Sequence, residues 1–437
     1  MEERDFDIIV VGSGCAGAIA AYVAAKRGKS VLVVERGDYA GAKNMTGGRI
    51  YAHSLRKVLD TYADGEVEWD SIPFERKIAH ERIALLDPTS NMTIGFSSDE
   101  LVEDECASYA VLRSTFDQWL AELAEAAGAE YIFGIGVEQL LKDDTGAVIG
   151  VSAGEDEITA QVVIDAEGVN SLLAERFLGV SRPKANEMAV GIKEVFELPA
   201  ATIEDRFLCA PGEGAAMLFV GDCTHGNVGG GFLYTNKDSI SLGLVATIEE
   251  LSHSNTTIYQ ALADFKEHPS IAPIIHDAKM VEHSGHMVSE GGFTMVPRYI
   301  FDGCVLAGDT AMLCMNLGYQ VRGMDFAVAS GQFAAEAACD AIDAENVSAT
   351  GLASYKAKME NSFVMKDLAT FKHWPATMES WGSMFTDYPT MVSEIFNAMF
   401  AVNGEPQEHL QSRIMPIVKR RGLFKLLKEV RGALKAL

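Results

Sequence analysis

Six residues near the N-terminus concentrate the chemistry of this chain. Gly12-Ser13-Gly14-Cys15-Ala16-Gly17 has the spacing G-x-G-x-x-G. An apolar run from Asp7 to Val11 precedes it and an Ala-rich stretch follows to Lys26. A second apolar run, Ser30 to Val34, ends on Glu35, which is 18 residues beyond Gly17. Strand before, helix after and an acid at that distance make this a dinucleotide-binding turn. Gly12 permits the tight turn, Gly14 lets a pyrophosphate approach the backbone, and Gly17 lets helix and strand pack closely. The helix N-terminus offers N–H groups and the positive end of its dipole to the phosphates. Glu35 is suited to a ribose diol and repels a 2′-phosphate, so FAD or NAD is favoured over NADP.

Further donors lie in the segment after Glu35. Arg36 to Arg49 is rich in Gly and polar residues and too long for a simple turn. A loop at this point of a nucleotide-binding fold lines the ligand. Lys43, Asn44 and Arg49 are donors suited to a phosphate or a flavin ring edge. No Ser-His-Asp set and no zinc spacing stands out. His53 and His80 are isolated, and lone histidines are more often structural than catalytic.

The elements that must position these residues can be outlined from periodicity. Ser114 to Ala127 reads as an amphipathic helix, with Ser114 as N-cap, Asp117 at N3 and Arg113 just before it. Residues 128–141 carry a strand, and 147–151 with 158–163 read as a hairpin pair. Val162 to Gly168 reads as another strand ending in a Gly turn. From about residue 185 to 295 the character changes. Gly229 to Thr235 and Ser239 to Val245 look like antiparallel neighbours joined by Asn236-Lys237-Asp238, and Thr257 to Glu267 is helical. The nucleotide-domain pattern then returns at Cys304 to Ala307, closed by Gly308-Asp309 and followed by a small-residue helix from about 323 to 342. Residues 350–437 are largely helical.

Bulk properties bound the function. A chain of 437 residues can bury a large core and form two or three domains. The net charge of −26 opposes a nucleic-acid partner. No window approaches 18 strongly apolar residues, and the acidic Met1-Glu2-Glu3-Arg4-Asp5 leads straight into the first strand, so neither a spanning helix nor a signal peptide is expected. The seven cysteines, at 15, 106, 209, 223, 304, 314 and 339, form no C-x-x-C. Such a scatter suits a reducing cytosol and lacks the close thiolates of a ferredoxin-type cluster. Residues 419–437 hold seven bases and one acid, a local net of +6, with apolar residues at helical spacing. This stretch is expected to form one basic amphipathic helix. It suits either an anionic membrane surface or the protein's own acidic body.

Three separated elements now fall in order: the Gly12 turn with Glu35, the turn Ala166-Glu167-Gly168-Val169-Asn170-Ser171, and Gly308-Asp309. Together they resemble the two-domain FAD-dependent oxidoreductases of the p-hydroxybenzoate hydroxylase and geranylgeranyl reductase type. The segments 41–55, 229–236 and 314–327 are more specifically similar to the FixC family, relatives of electron-transfer-flavoprotein:quinone oxidoreductase. The similarity runs from about residue 5 to the C-terminus.

The resemblance implies an α/β fold with a Rossmann-type FAD-binding domain, an inserted α+β domain and a helical C-terminal region. The expected boundaries are 1–184 with 296–345, then 185–295, then 346–437. It implies that Gly12, Gly14, Ala16, Gly17, Glu35 and Arg36 hold the ADP half of FAD. Arg113 would reach the diphosphate or ribityl region, Val137 would lie beside the adenine, and Asp309 would bind the ribityl chain or phosphate. Lys43, Asn44, Gly48, Arg49, Glu167, Gly168, Gly308 and Asn316 complete the expected set. The implied partners are electron-transfer-flavoprotein α and β subunits, a small ferredoxin-like iron–sulfur subunit and quinone. A cytoplasmic location is expected, with a peripheral place on the inner face of the membrane left open by the C-terminal stretch. The alternatives are a reductase of C=C bonds in a polyprenyl or other lipophilic substrate, a monooxygenase, and a flavin-bearing assembly subunit. Two positions depart from the family pattern. Glu167 stands where relatives carry Asp, and Met312 stands where they carry Gly, so a long side chain is expected at the flavin.

Overall fold

The structure, a computed structural model, describes residues 4–43 and 48–437. Its first sheet is built on β1 (Phe6–Val11), which lies parallel between Val31–Glu35 and Asp156–Asp165. Glu130–Phe133 extends the sheet on one side and Cys304–Leu306 on the other, both parallel, with Ile300–Phe301 as an antiparallel edge. Ile8 to Val11 and Val31 to Glu35 are buried throughout. Strands covered on both faces read as continuous apolar runs, which is why they were evident without alternation. The helix Cys15–Lys26 packs against the 20-residue helix Met324–Asp343. Small residues allow that approach: a Cβ on Gly331 would stand 2.2 Å from the carbonyl oxygen of Ala16.

Residues 128–141 hold two strands, Glu130–Phe133 and Val137–Lys142. Val148–Ala153 and Asp156–Asp165 form the expected hairpin, but the strand ending at Gly168 is not separate from it. Asp156–Asp165 pairs with the hairpin at its start and with β1 at its end. The helix expected from Ser114 begins at Arg113 instead. Leu112 stands at the N-cap with no side-chain bond, and Asp117 binds Arg113 instead.

The second sheet has nine strands. Lys279–Ser289, Met188–Glu197, Ser239–Thr247, Gly229–Thr235 and Glu213–Gly221 follow one another antiparallel. Lys77–Asp87 then joins Glu213–Gly221 in parallel, and Ser90–Ser97, Ser108–Ala110 and Arg49–Tyr51 complete it. The sheet thus crosses the boundary drawn at residue 185, because strands between 49 and 110 belong to it. The helix Ile258–Glu267, with Thr257 capping Gln260 N–H at 3.2 Å, buries Ala261, Leu262 and Phe265 under this sheet. Phe265 meets Phe219 edge-on at 5.1 Å. Losing such a ring costs about 3–5 kcal/mol.

The C-terminal region is helical: Trp374–Ser380, Asp387–Phe400, Leu410–Arg421 and Leu423–Ala436. The basic stretch is not one helix. Gly422, at φ +83°, breaks it in two.

Candidate active site

The Gly12 turn is locked by contact with its surroundings. Gly12 sits at φ +91°, where a side chain is strained, and a Cβ on Gly17 would lie 1.9 Å from the Gly12 carbonyl oxygen. Glu35 is buried at the end of its strand. It accepts Ser13 N–H on Oε2 at 2.8 Å and Gly37 N–H on Oε1 at 2.7 Å. These bonds aim the carboxylate and hold the turn at once. The helix begins at Cys15, and Gly14 at its N-cap makes no side-chain bond, so the first N–H groups point outward.

Two further segments close on this turn. Gly168 N–H donates to Thr310 Oγ1 at 2.8 Å, which ties the Ala166–Gly168 turn to the residues after Gly308. Gly308 N–H donates to Ser330 Oγ at 2.9 Å, and a Cβ there would meet Ala16 at 2.8 Å. Glu167 accepts Leu173 N–H at 2.6 Å on Oε1, and burial holds its carboxyl above the usual range. Asp309 is also raised by burial, opposed by Arg113 and His286.

These elements enclose a cavity of about 1520 Å³ that runs between the two sheets. That exceeds the roughly 300–1,000 Å³ of ordinary ligand pockets. Gly12, Gly14, Ala16, Glu35, Arg36, Lys43, Gly48, Arg49, Arg113, Val137, Glu167, Gly168, Asp309 and Asn316 all line it. Gly17 and Gly308 do not; they stand behind the wall and set its packing. Asn44 lies outside the described residues.

Several of these residues are committed in ways the sequence does not reveal. Arg49 donates from Nη1 and Nη2 to Glu81 and from Nε and Nη2 to Ser108 Oγ, with its guanidinium 4.6 Å from the Tyr51 ring. It braces the wall. Arg113 grips Asp117 with two bonds of 2.7 Å, and this pair outweighs burial and raises the pKa of the guanidinium. Gly48 lies under the Tyr234 ring, 2.5 Å from where a Cβ would be. His53 contacts Asp325 at 3.3 Å, and His80 contacts Glu213 at 3.1 Å, so both are held in structural pairs.

Met312 does not reach the cavity. It adopts the left-handed conformation, φ +56°, which favours Gly over a residue with a side chain. Its side chain is buried with Val169 and Met188 in a small apolar cluster. The expectation of a long side chain at the flavin is therefore overturned.

The cavity changes character along its length. Its far part is lined by Ile83, Leu85, Leu218, Phe219, Val228 and Phe232 from the second sheet, and by Trp374, Trp381, Phe385, Val430, Leu434 and Leu437 from the C-terminal helices. Glu290, which sequence inspection missed, lines the wall as well. No local pattern marks it, since only the fold brings it beside Asn316. Among the described residues no group of His, Cys, Asp and Glu could hold a metal. The site therefore fits a dinucleotide cofactor: a glycine turn with no room for a Cβ at Gly12 or Gly17, outward helix N–H groups, an aimed carboxylate for a ribose and space for a ring system beyond.

Comparison with known proteins agrees with this geometry. Residues 7–178 match the FAD dependent oxidoreductase family, 188–288 the ETF-QO ubiquinone-binding family, and 374–437 the ETF-QO/FixC family C-terminal domain. The chain is 46% identical over 434 residues, 99% of each chain, to the probable electron transfer flavoprotein-quinone oxidoreductase YdiS of Escherichia coli K12. It is 43% identical over 98% of each chain to the protein FixC of the same organism. Among solved structures, a geranylgeranyl bacteriochlorophyll reductase-like protein from Thermoplasma acidophilum aligns with a TM-score of 0.71 at 19% identity, covering 98% of this chain and 99% of that one. The flavin-dependent brominase Bmp2 aligns at 0.61 and 16%, covering 95% and 99%. At these identities the solved structures speak for the fold alone. Near-full-length identity to FixC and YdiS, with a cavity built on the FAD-binding turn, makes this chain an FAD-dependent oxidoreductase of the ETF-QO/FixC family.

Proposed function

We propose that this enzyme takes electrons from an electron transfer flavoprotein and passes them to a quinone, with a separate ferredoxin-like subunit on a second branch. The observation that carries the quinone half is the apolar far chamber, continuous with the cofactor cradle. Apart from Ile83 and Leu85 on Lys77–Asp87, its walls come from segments matched by the two ETF-QO families. A quinone head in that chamber stands in the same enclosed space as the cofactor, and its tail meets apolar walls. FAD, when bound, supplies the redox chemistry, accepting electrons in pairs and releasing them singly or together.

The chain's own residues do the rest. Glu35 and the Gly12 turn anchor the nucleotide half. Asp309, buried and near Arg113, orders the middle of the cofactor. Phe232, Trp374 and Trp381 exclude water from the far chamber, which strengthens every polar interaction within it. The seven cysteines support the separate iron–sulfur subunit: none lies in cluster spacing, and all are free. The outward residues of the last helix support contact with a membrane. Phe424 is 87% exposed and Leu427 59%, beside the exposed bases Lys428, Arg431 and Lys435.

The test is an anaerobic titration. Addition of a reduced electron transfer flavoprotein should bleach the flavin absorbance, and a short-chain quinone should restore it. The chamber would equally accept a polyprenyl chain. Reduced enzyme reoxidised by geranylgeranyl substrates, but not by quinone, would replace this reading with the C=C reductase.

A further inference from the structure

Glu290 lines the cavity wall and makes no ion pair among the described residues. It follows the strand Lys279–Ser289, and its backbone N–H donates to the Glu187 carbonyl oxygen at 2.8 Å. Its carboxylate receives a single neutral hydrogen bond, from Asn316 Nδ2 to Oε2 at 3.1 Å. No cation pairs with it among the described residues, and burial pushes its carboxyl up to about 7 against the pull of that bond. A carboxylate held without a cation on the wall of a partly enclosed cavity is costly, and a stabilising core needs none. The ionisable groups on the elements near it carry both signs: Arg322 pairs across the short ladder with Met315, next to Asn316, and holds Asp325 in an ion pair. Asp309 and Cys314 lie on the Asn316 segment, and Asp325 starts the next helix. His286 is on its own strand, Glu187 lies across the backbone bond, and Glu379 comes from the helix Trp374–Ser380. Asn316 belongs to the segment following Asp309, and Pro375 approaches Gly292, so Glu290 sits where the cofactor cradle opens into the apolar chamber.

We propose that Glu290 exchanges a proton with each redox cycle, taking one up when the cofactor receives two electrons and releasing it when they leave. The inference rests on FAD binding and not on the identity of the donor or acceptor. On reduction, two electrons and one proton enter the flavin ring, which gains one negative charge. The second proton binds the Glu290 carboxylate, so the charge of the enclosed site is unchanged. On oxidation the electrons leave to the acceptor and both protons are released, available to an acceptor that needs them. The physical cause is electrostatic: a new negative charge in a poorly solvated cavity raises the proton affinity of a nearby carboxylate.

The sign of the pH dependence follows. Below about pH 7 Glu290 already holds its proton in the oxidised enzyme and takes up none. Above that value it is ionised when oxidised and protonated when reduced. The flavin midpoint potential of the holoenzyme, measured spectroelectrochemically from about pH 7.5 to about pH 8.5, should show two protons per two electrons. Glu290→Gln, which keeps the shape and an acceptor for Asn316, should show one. Glu290→Asp should restore two. Equal slopes for wild type and Glu290→Gln overturn the proposal, since a merely structural glutamate would not set proton stoichiometry. If Glu290→Gln loses its flavin, the wild type decides alone. Photoreduction in weak buffer with an indicator dye should register two protons, with a protonated-carboxyl band appearing in the infrared difference spectrum. One proton and no band would refute it.

Discussion

At the residue scale, the cofactor cradle depends on absent side chains and the second wall on well-placed ones. Gly14→Val should give a folded but colourless protein, because a branched side chain at the N-cap stands where the pyrophosphate approaches; flavin absorbance after purification checks this. Met312→Gly should leave the flavin spectrum and reoxidation by small acceptors unchanged, since Met312 packs behind the cavity wall against Val169 and Met188. It should lower stability by about 1–3 kcal/mol, the loss of a buried side chain partly offset by relief at φ +56°. Chemical denaturation reads that difference. The Gly12 turn and Glu35 were legible in the sequence because their meaning is local: strand, turn, helix and acid lie within 30 residues. The direction of Met312 and the role of Glu290 were not. Both depend on which neighbours the fold delivers, and periodicity carries no such information.

At the element scale, the strands of the first sheet were legible because burial on both faces leaves unbroken apolar runs. Arg49–Tyr51, Lys77–Asp87 and Ser108–Ala110 were not assigned to the second sheet, although they pair within it. Lys77–Asp87 finds its parallel partner at Glu213–Gly221, more than a hundred residues away, and no local signal fixes such a pairing. Of the two uses foreseen for the basic stretch, the structure shows contact with the protein's own acidic groups. Arg420 pairs with Glu394 at 2.8 Å and Arg421 with Asp387, so part of the charge is met by the helix Asp387–Phe400. Lys428, Arg431 and Lys435 make no such pair among the described residues, and Phe424 and Leu427 face solvent. The double variant Phe424→Asp/Leu427→Asp should weaken pelleting with anionic liposomes roughly tenfold or more while retaining FAD. Raising the salt should weaken the wild type too, since each base contributes about 1 kcal/mol at the surface. Loss of flavin from the double variant would show instead that this face belongs to the core.

At the scale of the whole molecule, the chain is one cofactor chamber walled by distant parts of its sequence. Among the described residues no helix is long and apolar enough to cross a membrane. Iron analysis of the isolated chain should find no stoichiometric iron, and its reduced form should give no cluster signal by electron paramagnetic resonance; a signal from the chain alone would remove the need for a separate iron–sulfur subunit. The discontinuous first sheet also has a consequence for how the protein is made. Cys304–Leu306 must pair beside Asp156–Asp165, and Gly308 must find Ser330, before the cradle begun at Gly12 is complete. A ribosome adds about 5–20 residues per second, so the nascent chain carries an unfinished nucleotide turn for tens of seconds. Loading of the cofactor is thereby deferred until synthesis is nearly over, and a chain released before residue 331 would emerge without a place to hold it.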